Sequence, residues 1–126
     1  MSGKKITLLF IGSPEKFDEL EQVIAKGVNG NYFFKLFHSN DEKGIEKEIE
    51  EKSVDVIVVT EKTKPGTIKK IKEIYPQIKI VVWSAEEKKS AESFQAGADI
   101  WVMDPAENPV LKQNIGMLFA PGFPPD

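Results

Sequence analysis

The chain has 126 residues, 40% of them hydrophobic, which suits one domain around one core and gives no reason to expect a second. Seventeen basic against twenty acidic residues leave a net charge of -3, which argues against a nucleic-acid partner because phosphate binding needs a concentrated positive surface. Cysteine is absent, which excludes disulfides, thiol catalysis and zinc–thiolate clusters, and no apolar run approaches the ~18 residues of a membrane span. The start passes from Lys4-Lys5 straight into a strand-like run with no signal-peptide pattern, so the expected location is the cytoplasm.

The first predicted strand is Ile6 to Ile11, stopped by Gly12-Ser13-Pro14. Pro14 suits the first turn of a helix capped by Ser13, along which Phe17, Leu20, Val23, Ile24 and Val28 recur at helical spacing until Gly27, Asn29 and Gly30 end it. A second strand runs from about Phe33 to His38. Ser39, Asn40 and Asp41 then offer caps for a charged helix with Ile45 and Ile49 on one face. Asp55 to Val59 is an unbroken β-branched run, as a central strand buried on both faces should be.

Pro65-Gly66 breaks the next loop, and Ile68, Ile71 and Ile74 mark a helix that Pro76 terminates. The fourth strand is about Lys79 to Trp83, followed by a polar helix to Gln95 with Ala91 and Phe94 inward and Gly97 as its stop. Ile100 to Met103 is a short fifth strand. Asp104-Pro105 turns into a last helix carrying Val110, Leu111, Ile115, Leu118 and Phe119. Residues 1–119 make the expected domain, and 120–126 (APGFPPD) a tail that is either a linker remnant or a free end. Lys62, Lys64, Lys69, Lys70 and Lys72 form the densest basic stretch and read as a solvated helix face.

Five βα units with right-handed crossovers give a doubly wound, flavodoxin-like α/β sheet of order 2-1-3-4-5. Ligands of such folds sit at the carboxyl ends of the strands. The switch point between the first and third strands directs attention to Gly12, Ser13, Thr60, Glu61, Ser84, Met103 and Asp104.

Several segments resemble the receiver domain of bacterial response regulators, the CheY-like family. Val54-Asp55-Val56-Ile57-Val58-Val59 is similar to the family's Pro-Asp and four aliphatics leading to the phosphoacceptor. Val81 to Ala85 is similar to its fourth strand, ending in a Ser/Thr-Ala pair. Ala96-Gly97-Ala98-Asp99 followed by Ile100 to Pro105 is similar to Ala-Gly-Ala-Asp, an aromatic two residues later and then Lys-Pro. The resemblance implies the same fold. It also implies a site that this chain lacks, because Gly12 and Ser13 stand where receivers carry the acidic pair that helps bind magnesium, and bring none of the carboxylates hard cations prefer. No metal and no cofactor is therefore expected. The acceptor place falls on Thr60 when counted from Asp55 and on Glu61 when counted from Pro65-Gly66, and neither is aspartate.

Asp104 stands in the place of the lysine that contacts the phosphoryl group. At ~5 Å and an effective dielectric near 20, a carboxylate would repel that anion by roughly 3 kcal/mol where the lysine attracts it. A lone Ser84 cannot neutralise the charge of phosphoryl transfer. The resemblance thus implies a pseudo-receiver: a non-enzymatic, non-phosphorylatable signalling module in which Glu61 could mimic the phosphorylated state.

Such a module would work by protein–protein interaction, with a signalling partner or by self-association, through the face of the fourth helix, fifth strand and fifth helix. Phe94 and Trp101 are its candidate residues, Trp101 serving either as an interface anchor or as core packing. The competing reading is a sensor of a small ligand or anion, with Ser13, Thr60 and Ser84 converging in a hydroxyl-lined notch; a third is phosphorylation of an unconventional residue, Thr60 or Ser84. His38, the only histidine, reads as a surface or capping residue beside the crevice.

Overall fold

The computed structural model describes residues 4–26, 32–39, 42–86 and 90–103. Five parallel strands, β1 (Lys4–Ile11), β2 (Tyr32–Ser39), β3 (Val56–Val59), β4 (Lys79–Ser84) and β5 (Ile100–Met103), form one sheet of order β2-β1-β3-β4-β5. Between them run α1 (Pro14–Lys26), α2 (Ile45–Lys52), α3 (Pro65–Ile74) and α4 (Ser90–Ala96). Asp104, Pro105, the expected last helix and the tail lie outside the described residues. Among the described residues no helix is long and apolar enough to cross a membrane.

Strand alternation sorts the core into two layers. Ile6, Leu8 and Phe10 of β1 join Val56, Val58, Val81 and Trp83 beneath Leu20 of α1. Leu9, Ile11, Ile57, Val59, Ile80 and Val82 point the other way, against Ile45 and Ile49 of α2 and Ile68 and Ile71 of α3. Covered on both faces, β3 and β4 can be nearly all β-branched or aliphatic, and all four residues of β3 are buried.

Two aspartates tie the lower, amino-terminal ends of the strands. Asp55 accepts the Thr7 N–H on its carboxylate (2.8 Å) while its own N–H donates to the Thr7 carbonyl (2.8 Å) and its carbonyl accepts the Lys79 N–H (3.1 Å). Asp99 repeats the device: its carboxylate accepts the Ile80 N–H (2.8 Å) and its N–H donates to the Ile80 carbonyl (2.8 Å). The same carboxylate receives Lys72 Nζ (3.0 Å), which also donates to the Ile78 carbonyl (2.8 Å), binding α3 to the strand ends. Nearby, the Tyr75 hydroxyl donates to Glu50 (2.6 Å); that bond, with partial desolvation and the charges of Glu50 and Glu46, pushes the phenol up to about 12.

Three local expectations differ from the fold. Ser39 is the last residue of β2 and does not cap α2, which starts only after Gly44 at φ +72 with no side-chain cap; Asn40 and Asp41 lie outside the described residues. Pro65-Gly66 does not break a loop but opens α3, since proline at the first helical position lacks only an N–H that would have no intrahelical partner. On α4 the buried residue is Ser93, with Ala96 also packed on the core, because small side chains let the short helix sit close; Ala91 and Phe94 face outward. Ile74, at the end of α3, is likewise exposed.

Gly97 stops α4 at φ +117, and a Cβ there would lie 2.9 Å from Cγ of Lys72. Gly66 sits inside α3 with open space around it. Gly97→Ala should therefore lower stability by about 1–3 kcal/mol, and Gly66→Ala should raise it by about 0.5–1 kcal/mol, both read from urea unfolding midpoints. Equal changes of one sign would contradict the assigned backbone.

Candidate functional site at the carboxyl ends of the strands

The switch point between β1 and β3 holds a shallow cavity of about 300 Å³ lined by Ile11, Gly12, Ser13, Glu42, Thr60, Lys62 and Thr63. A second hollow of about 370 Å³ between α2 and α3 is lined by Ile45, Ile71 and Ile74 together with Glu46, Thr67 and Lys70, and shares Glu42 with the strand-end cavity. The expected residues Gly12, Ser13 and Thr60 thus come together. Thr63 and Glu42, which the sequence reading did not single out, join them.

Ser13, Thr60 and Glu42 each have structural work in this cavity. The Ser13 hydroxyl caps α1 by accepting the Lys16 N–H (3.2 Å), and the Ser13 carbonyl accepts the Phe17 N–H (3.0 Å). Thr60 is the first residue beyond β3; it is buried, and its Oγ1 accepts the Lys62 N–H (3.2 Å) while its carbonyl accepts the Thr63 N–H (3.1 Å). Glu42 takes a hydrogen bond from the Thr67 hydroxyl. Glu61 is on the following turn, half-buried, and does not line the cavity.

Ser84 does not join the notch. It is fully buried at the end of β4, its Oγ accepts the Glu86 N–H (2.9 Å), and β3 separates its strand from β1, so the expected convergence of three hydroxyls is corrected to Ser13, Thr60 and Thr63. Asp104 lies outside the described residues. Among the described residues no three carboxylate or histidine side chains gather as metal ligands, and a single carboxylate, that of Glu42, faces this cavity.

The end of β1 is closed by aromatic packing. The Phe10 ring lies over Gly12, where a Cβ would meet ring carbons at 2.6 and 2.7 Å. His38 pairs in register with Phe10 across β1 and β2, and its Nε2 is 2.7 Å from the Gly12 carbonyl; since a carbonyl only accepts, Nε2 carries the proton. The imidazole stacks on Phe17 (4.9 Å between centroids, 15°), and Phe10 meets Trp83 edge-on at 6.4 Å. Lys16 Nζ stands 4.7 Å over the Trp83 ring. Sequence reading missed this cluster, although the in-register alternation of β1 and β2 was the signal that places Phe10 beside His38.

On the opposite flank, Phe94 is 48% and Met103 43% exposed. Trp101 is half-buried against the α2–α3 layer with its indole N–H shut away from solvent and, among the described residues, without an acceptor, so it packs on the core while Phe94 and Met103 present the surface.

Restoring an acid at the end of β1 requires room that Phe10 occupies. Gly12→Asp should cost about 1–3 kcal/mol by overpacking, and in a Phe10→Leu background the added cost should shrink, as a double-mutant cycle followed by urea unfolding would read. Strict additivity would mean that the ring does not set the glycine requirement.

No protein-family model matches the sequence, and no curated protein matches it with significance. Solved structures do match. HP1043, an orphan response regulator of H. pylori, is 21% identical with a TM-score of 0.73, the match covering 88% of this chain and 93% of that one. Chemotaxis protein CheY4 of Vibrio cholerae is 15% identical with a TM-score of 0.73, covering 89% and 97%. The CheY-like protein tadZ of Pseudomonas aeruginosa is 12% identical with a TM-score of 0.72, covering 90% and 98%. Identities this low speak to architecture, and with the sheet order and the strand-end site they lead to one conclusion: this chain has the flavodoxin-like fold of the CheY-like receiver domains of response regulators.

Proposed function

We propose that this chain is a receiver-fold signalling module that has no aspartyl-phosphate switch and no enzymatic activity, and that acts through contacts with protein. The observation that carries this reading is the closed end of β1. Where the receiver resemblance calls for metal-binding acids, Gly12 is covered by the Phe10 ring and its carbonyl is held by His38, and Ser13 is engaged as a helix cap.

Thr60 takes the acceptor place in this reading, because it follows β3 directly and lines the cavity, whereas Glu61 stands outside it. A hydroxyl nucleophile needs a base, and among the described residues neither carboxylate nor imidazole is bonded to Thr60. Ser84 is sealed. Glu42 and Lys62 line the cavity with opposite charges, so it offers an anion no net positive charge. The surface offered to a partner is that of α4 and β5, where Phe94 and Met103 expose apolar area.

Incubation with magnesium and a small phosphodonor should leave the mass of the intact protein unchanged. Stoichiometric gain of one phosphoryl group, removed by hydroxylamine, would overturn the proposal. Capture of a signalling partner should be indifferent to the phosphodonor and should fall about tenfold or more in Phe94→Ser if Phe94 is an interface hot spot.

A further inference from the structure

β2 is the outermost strand on its side of the sheet. It pairs with β1 over Tyr32 to Ser39, and among the described residues no strand lies along its other edge. A long apolar edge is a template for strand addition through its outward N–H and C=O groups. Leu36 and Phe37 in its middle are only half-buried, and Lys35 is exposed. Phe37 is covered by cations: Lys35 Nζ lies 5.3 Å and Lys52 Nζ 5.2 Å from the ring centroid.

We propose that β2 pairs antiparallel with β2 of a second copy of this chain about a twofold axis at Leu36, joining the two sheets into one. A second copy is favoured because this strand is self-complementary in that register. Leu36 meets its counterpart on the axis, and Lys35 of each copy lies opposite Phe37 of the other, giving two cation–ring pairs across the seam. Centring the axis on Lys35 would oppose two ammonium groups. Centring it on Phe37 would set Lys35 against Ser39 and lose both ring pairs. The contact lies on the sheet edge opposite β5, so it leaves the α4–β5 face open and does not depend on the proposed function.

The chain has no cysteine, so a single introduced thiol reports on one place. Directly opposed residues bring Cβ atoms within about 4.5–5.5 Å, near the span of a disulfide. Mild oxidation of purified full-length Leu36→Cys should give mostly disulfide-linked dimer, while Phe94→Cys at the same concentration should stay largely monomeric. The reverse pattern would place any self-contact on the α4–β5 face and overturn the β2 pairing, leaving the proposed signalling role intact. Sedimentation equilibrium supplies a readout free of cysteine and of core disturbance: Lys35→Glu, at an exposed position, should weaken the dimer about tenfold. A monomeric wild type at the highest attainable concentration, or a dimer unaffected by Lys35→Glu, would refute the pairing.

Discussion

Asp55 joins three strands at one point. Its carboxylate and backbone bind Thr7 of β1 on one side, its carbonyl takes the Lys79 N–H of β4 on the other, and the four buried residues of β3 follow directly. Hydrogen bonds to a charged group contribute about 1.5–3 kcal/mol each, so this lower corner fixes the register from which the upper ends are aimed. Asp99 does the same for β4 and β5 and adds the Lys72 ammonium, whose stem leaves space for nothing larger than glycine at position 97.

These two corners explain a contrast within the chain. The segments that most resemble receivers, around Asp55 and from Ala96 to Asp99, are at the end of the sheet away from the site and serve backbone pairing. Positions at the other end are released from that duty, and there the chain differs: Phe10 covers Gly12 and packs against Phe17, His38 and Trp83, and in the cavity beyond the Ser13 and Thr60 hydroxyls serve as a helix cap and a turn acceptor. Fold and switch chemistry occupy opposite ends of the strands, so one can be kept when the other is absent.

The sheet was legible because its signals are local. The β-branched run of β3, the proline at the start of α1 and the glycine after α4 each carry their own physical reason, and the order 2-1-3-4-5 follows from right-handed crossovers. What escaped the sequence depends on lateral placement. Phe94 and Ala91 looked inward by apolarity alone, yet the close approach of α4 selects the smaller Ser93 and Ala96. Ser84 looked like a partner of Ser13, yet two strand spacings separate β4 from β1. His38 reads in sequence as a surface or capping residue, but the carbonyl it holds lies 26 residues earlier, which no side-chain pattern announces.

The central proposal is that the strand ends around Thr60 and Gly12, where Glu42 is the single carboxylate lining the cavity among the described residues, hold no metal–phosphoryl complex. Amide chemical shifts of the full chain titrated with magnesium and beryllofluoride, a mimic of the acyl phosphate, test it most directly. Shifts at Gly12, Thr60 and Ser84 and across α4 and β5 should stay unchanged. Saturable shifts at Thr60 and Ser84 that spread to Phe94 and Met103 would show a working receiver switch and contradict it.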